Sequence, residues 1–149
     1  MHKAATQAHH DDAASPEHPR SVGVLVDLEL AGNTGGHVKC WQRIAEAAAP
    51  MHNLVDLTVY FLGERMETIP LSDSVRYVTL PPRLGTRQVS FLSQGAGHTD
   101  LAPFHHRLAT LLPRHDVLHT TDVFAFGQTA ARIARRNGKP LVTSIHTDL

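Results

Sequence analysis

The feature that most constrains this chain is a repeated change of period. Short, continuously apolar, β-branched runs such as VGVLVDLEL (22–30) give way, across turn-rich breaks, to stretches whose apolar residues recur every three or four positions. Runs of the first kind have strand length, and the second spacing lays one apolar stripe along a helix. LVDLTVYFLG (54–63), VRYVTL (75–80), DVLHTT (116–121) and PLVTSI (140–145) read as further strands. Helical wording runs from Gly36 to Pro50, with Val38, Trp41, Ile44, Ala45 and Ala48 in the stripe. It returns at 104–115, with Phe104, Leu108, Leu111 and Leu112, and again after Asp122, with Phe126, Ala130, Ile133 and Ala134. Residues 81–102 have no clear period and read as a long loop. Strands apolar on both faces and separated by helices predict an α/β fold: a doubly wound, mostly parallel, Rossmann-like sheet.

Local signals sharpen one helix. Asp122 is a candidate N-cap, Arg135 and Arg136 fall in the last turn where the helix dipole favours cations, Gly138 can take the left-handed cap, and Pro140 ends the segment. A length of 149 residues suits one domain with a core of its own. Order is expected from Ser21 to Leu149. The opening MHKAATQAHHDDAASPEHPR (1–20) contains nothing apolar to offset the entropy of ordering it, so it reads as a disordered, solvated leader. Its HHDD (9–12) is a low-complexity tract in that reading, and no metal site is expected.

Composition removes several classes. Lys plus Arg and Asp plus Glu balance at 14 each, so the basic excess of a nucleic-acid binder is missing. The single cysteine, Cys40, permits neither an internal disulfide nor a cysteine-based zinc site, and a cytoplasmic location is the natural expectation. No run is long enough to form a transmembrane segment. The apolar face of 104–115 reads as core packing, with peripheral membrane contact as its alternative use.

NTGGHVK (33–39) places two glycines between the first strand and the first helix. In doubly wound sheets that junction lies at the carboxyl edge, where ligands bind. Glycine there lets backbone N–H groups approach an anion, and the helix beginning at about Gly36 adds its positive end. Neither G-x-G-x-x-G nor G-x-x-x-x-G-K-[ST] is present, and a tight turn without any ligand would also use such a pair. His119 and His146 follow the ends of later strands, and Asp122 opens a helix at the same edge, so these groups are expected to converge with the glycines on one rim.

NTGGHVK before an amphipathic helix, DVLHTTD before a second, and GKPLVTSIHTD near the end resemble the N-terminal domain of family 4 retaining glycosyltransferases of the GT-B fold. The similarity covers roughly residues 22–148, and its last segment is the most specific. The resemblance implies transfer of a sugar, with retention, from a nucleotide-sugar donor to an acceptor hydroxyl, in a cleft between two Rossmann-like domains. It implies that Gly35 and Gly36, with Lys39 at an often basic position, face the donor diphosphate. It implies that His146 acts beside the transferred sugar as the catalytic-site histidine, hydrogen-bonding a hydroxyl, and that His119 and Asp122 lie on the acceptor side. No cofactor or metal is implied; the nucleotide-sugar is substrate.

The sequence also departs from that family. H-T-T-D stands where many relatives place a second histidine. Most nucleotide-sugar contacts in the family, including a pair of glutamates eight positions apart, belong to a C-terminal domain, and no two of Glu17, Glu29, Glu46, Glu64 and Glu67 have that spacing. The chain therefore reads as a truncated acceptor-side half, inactive alone and marginally stable. A non-catalytic α/β module holding a phosphorylated ligand, or a structural remnant, are the competing readings. A receiver-type signalling domain is disfavoured, because Asp27 and Glu29 alternate sides instead of pairing.

Overall fold

A computed structural model of the chain describes residues 18–30, 35–85 and 99–144. The elements run β1 (Arg20–Glu29), α1 (Gly36–Ala48), β2 (Val55–Leu62), β3 (Glu67–Pro70), β4 (Val75–Leu80), α2 (His106–Leu111) continuing as a 3-10 turn (Leu112–Arg114), β5 (Val117–Thr120), α3 (Ala125–Asn137) and β6 (Leu141–Thr143). One six-stranded sheet has the order β3-β4-β2-β1-β5-β6. Every pairing is parallel except β3 with β4. This is the α/β, doubly wound, mostly parallel sheet that the periodicity predicts. β1 begins at Arg20, inside the stretch read as leader, and residues 1–17 lie outside the described residues.

Strand parity divides the core in two. Val24 and Val26 of β1, with Leu57, Val59 and Phe61 of β2, face α1 and pack on Val38, Trp41 and Ala45. Leu25, Tyr60, Leu62 and Leu118 face the opposite way and pack on Leu108, Leu112, Phe126, Ala130 and Ile133 of the other helices. Helices therefore cover both faces, which is why β1 and β2 carry no polar stripe. Ile44, expected in the α1 stripe, is 43% exposed and lies off it. The 104–115 helix is shorter than its pattern: α2 covers six residues before Pro113 draws the chain into the tighter turn. Gly138 takes the left-handed cap expected of it, at φ 62°.

β3 has no counterpart in the sequence pattern. It pairs only with β4, all its residues are exposed, and it ends in Pro70. A short charged edge strand buries nothing, so it leaves no apolar signal.

At the amino edge of the sheet a buried histidine ties three strands together. His115 Nδ1 lies 2.9 Å from Ser21 Oγ and its Nε2 lies 2.7 Å from the Tyr60 hydroxyl. Arg114 donates to the same hydroxyl at 3.0 Å. Tyr60 is fully buried, so its own proton needs an acceptor, and His115 Nε2 supplies one. This assigns the proton of the neutral ring to Nδ1, donating to Ser21. Desolvation, with the nearby Arg114 charge second, lowers the His115 pKa to about 4, in keeping with a neutral ring. Burial likewise raises the Tyr60 pKa. Gly23 is what lets the ring lie against β1: a Cβ there would come within 2.6 Å of His115 Cδ2.

Candidate functional site at the carboxyl edge

Strand order reverses direction beside β1: β2 lies on one side of it and β5 on the other. The crevice outside the carboxyl ends of β1 and β5 is thus the topological switch point, the usual ligand position in open α/β sheets. A cleft of about 230 Å³ occupies it, lined by Asp27, Leu28, His37, Thr99, Thr121, Asp122 and Phe124. A broader groove of about 570 Å³ lies along Glu29, Leu30, Gly63, Glu64 and the β3 hairpin.

A bulge shapes the cleft. The β1–β2 register passes from Val26↔Phe61 to Glu29↔Leu62, so Asp27 and Leu28 leave the ladder. The Asp27 N–H freed in this way donates to Asp122 Oδ2 at 3.2 Å. Asp27 is 2% exposed, and its oxygens accept from the N–H groups of Asp100 at 2.9 Å and Phe126 at 3.2 Å. Asp122 Oδ1 accepts from Phe124 at 2.9 Å and Gly127 at 3.2 Å. Asp100 in turn accepts from Arg83, Leu84 and Ala102, while its carbonyl takes the Ala125 N–H. Burial is the main cause that pushes the Asp27 pKa up to about 8, with the neighbouring Asp122 charge second, so the protonated form predominates at pH 7. Burial also raises the pKa of Asp122.

The start of α3 is consequently saturated. Ala125, Phe126 and Gly127, its first three residues, give their N–H groups to Asp100, Asp27 and Asp122. Asp122 caps α3 as the sequence suggests, although the cap position itself is Phe124. Gly127 is needed for the close packing, because a Cβ there would collide with the Asp122 carbonyl.

The start of α1, at the same edge, is the opposite case. Its cap residue, Gly35, has no side chain to cap it, and no acidic residue lies in its first turn. Gly35, the cap residue, has φ −59°, and no positive φ occurs at Gly36. A Cβ at either position would meet nothing within 4 Å. Neither backbone conformation nor packing among the described residues requires glycine at 35 or 36.

The other residues singled out from the sequence fall as follows. Lys39 is exposed on α1, outside the residues lining the cleft. His119 is half-buried within β5 and faces α1, with its ring 4.9 Å from that of Trp41 in an edge-on contact. Its Nε2 lies 2.9 Å from Ser144 Oγ, which ties β5 to the end of β6. Asp122 and His37 of α1 line one cleft, Gly35 and Gly36 lie at the same edge but outside its lining, and His119 packs against Trp41 of α1. His146 lies outside the described residues; β1, β5 and β6 run parallel, so the three strands end at one edge. Sequence reasoning missed Asp27, His37, Thr121 and Phe124. The signal at Asp27 is a lone carboxylate closing an apolar strand.

Comparison with protein-family models, with curated proteins and with solved structures finds no match to the chain. Among the described residues, no group of three or more His, Cys, Asp or Glu side chains could hold a metal ion. No helix among them is long and apolar enough to cross a membrane.

Proposed function

We propose that the chain is the acceptor-side, Rossmann-like half of a retaining GT-B glycosyltransferase. Joined to a C-terminal domain, it moves a sugar from a nucleotide-sugar donor to an acceptor hydroxyl; alone it does not turn over. The observation that carries this reading is the α1 start: two glycines that nothing in the described fold requires, no described atom within 4 Å of where their Cβ atoms would lie, and a helix beginning at the carboxyl edge with no acidic residue in its first turn. In this reading the N–H groups of Gly35, Gly36 and the first turn receive the donor diphosphate and stabilise the charge that grows as the sugar departs. Lys39 contributes a neighbouring cation. His146 hydrogen-bonds the transferred sugar, and Asp122 and His119 belong to the acceptor side. The reaction calls for no metal ion.

The test is an NMR titration of ¹⁵N-labelled chain with UDP-glucose, GDP-mannose and inorganic pyrophosphate, paired with a transfer assay. Saturable shifts at the amides of residues 35–38, with no turnover by the chain alone, are expected. Ordinary turnover by residues 1–149, or amides at 35–38 indifferent to all three ligands, overturns the reading.

A further inference from the structure

We propose that a notch beside the β4 exit is a second anion site, distinct from the switch-point cleft and built for a phosphate-class oxyanion. Its lining is Pro81, Pro82, Arg83, His105 and Arg107, around about 160 Å³. It shares no residue with the lining of the switch-point cleft.

Two arginines flank the notch, and neither has a carboxylate partner among the described residues. The ion pairs among the described residues are Arg43–Glu46, Arg65–Glu67 and Arg76–Asp56. Arg107 Nη1 reaches only the Met66 thioether, at 3.5 Å, and a thioether is a weak acceptor. Two like charges beside one small cavity repel each other unless an anion joins them. A tetrahedral oxyanion suits the forked guanidinium, which offers paired N–H donors to two oxygens at once.

Both carriers are held by buried anchors. On one side, Asp100 Oδ2 accepts the Arg83 N–H at 2.7 Å and Oδ1 accepts that of Leu84 at 2.9 Å. Leu101 N–H closes back on the Leu84 carbonyl at 2.9 Å. On the other side, His105 is 1% exposed, and its Nδ1 accepts the Leu108 N–H at 3.1 Å in the first turn of α2. That leaves Nε2 as the protonated nitrogen, donating to the Pro81 carbonyl at 3.0 Å. One histidine therefore spans from the turn that carries Arg83 to the helix that carries Arg107. With their backbones fixed before a ligand arrives, less ordering remains to oppose binding. The cavity is several times the ~30 Å³ of a liquid water, which is room for an oxyanion and not for a nucleotide.

The test uses the whole chain with inorganic phosphate as probe, against chloride at matched ionic strength, read by thermal shift and by NMR shifts at residues 83 and 107. Saturable, phosphate-specific binding is expected. Arg83→Gln and Arg107→Gln replace exposed side chains, so the fold should survive in both. Each should weaken binding by about tenfold, the loss of one charged hydrogen-bonding partner, and the pair should abolish it. Gly36→Val should leave it unchanged, which separates this site from the diphosphate reading. Phosphatidylcholine vesicles with and without phosphatidic acid identify the source. Sedimentation with phosphatidic acid that depends on both arginines assigns a lipid headgroup, and binding of phosphate without vesicle capture assigns a soluble phosphate ester. Wild-type chain that treats phosphate like chloride, or a double variant in which phosphate still shifts residues 83 and 107 as in wild type, overturns the proposal.

Discussion

Gly36→Ala separates what the fold needs from what a ligand needs. The residue is the first of α1, without a positive φ, and a Cβ there meets nothing within 4 Å. Alanine can take the native conformation and has fewer unfolded conformations to lose, so the substitution should raise stability by about 0.4–1 kcal/mol. For a domain of this size that is a rise in Tm of roughly 1–4 °C. Urea denaturation followed by the fluorescence of Trp41, the single tryptophan, measures it directly. If the first-turn N–H groups receive a diphosphate, the added methyl lies in the ligand's path, and pyrophosphate affinity should fall by about tenfold or more, a loss of at least ~1.4 kcal/mol. The two effects have opposite signs in one protein. A variant that is stabilised and binds pyrophosphate as wild type does would refute the reasoning that these glycines serve a ligand. A variant that is destabilised would refute the description of the α1 start.

Gly23→Ala should cost about 2 kcal/mol, since a Cβ within 2.6 Å of a ring hydrogen-bonded at both nitrogens has nowhere to go, and the urea midpoint should drop by about 1 M. Paired with His115→Ala, the two losses should be clearly less than additive; strict additivity would count against direct packing. Stability should also depend on pH with two opposing causes. The Asp27 contribution, with a folded pKa of about 8 against 3.8, is complete below the unfolded value and is lost as pH rises through 8. The His115 contribution, with a folded pKa of about 4 against 6.5, is complete above 6.5 and is lost as pH falls through 4. Denaturant midpoints should therefore change little from pH 4 to 6.5, where the two causes oppose each other, and fall from pH 6.5 to 8; Asp27→Asn should flatten the upper limb and uncover a rise with pH below 6.5, and an unchanged slope above 6.5 would remove Asp27 as its cause.

Legibility in the sequence followed what each element buries. β1, β2 and β4 lie inside the sheet with helices over both faces, so their apolar runs had to be continuous and could be read. α3 could be read to its cap because Phe126, Ala130, Ile133 and Ala134 share the buried face and Gly138 supplies the turn. β3 could not, because an edge strand with every residue exposed carries no apolar periodicity. The carboxylate lattice was equally hidden. Asp27 and Asp100 are 73 residues apart, and their contact exists only after the β1 bulge and the 99–102 segment have closed on each other. Spacing within one regular strand puts Asp27 and Glu29, two positions apart, on the same face and not on alternating sides, which corrects that expectation. Such spacing has no means of seeing partners contributed by other elements. The glycine pair was visible as a motif, but the sequence could not show that the fold would manage without it.

The contrast between the two helix starts at the switch point turns that last observation into an argument about charge. Both α1 and α3 point their positive ends at the carboxyl edge of the sheet. At α3 the protein has answered this itself: the Asp100 carbonyl and the side chains of Asp27 and Asp122 take up the first N–H groups. At α1 the cap residue is a glycine and the first turn carries no acidic residue, and no described carboxylate is seated on it as Asp27 and Asp122 are on α3. A carboxylate lattice so occupied with backbone N–H groups is scaffolding first. Its oxygens hold the bulge, the 99–102 segment and α3 in register around the cleft. Keeping Asp27 protonated at pH 7 has a second consequence, because a neutral carboxyl beside His37 and Asp122 repels an incoming anion less than an ionised one would. An anion seated on α1 would in turn favour the protonated form. The same burial that makes Asp27 an unusual acid thus keeps the negative charge of the cleft low, which is what the proposed reading of the α1 start as a phosphate site requires of its neighbours.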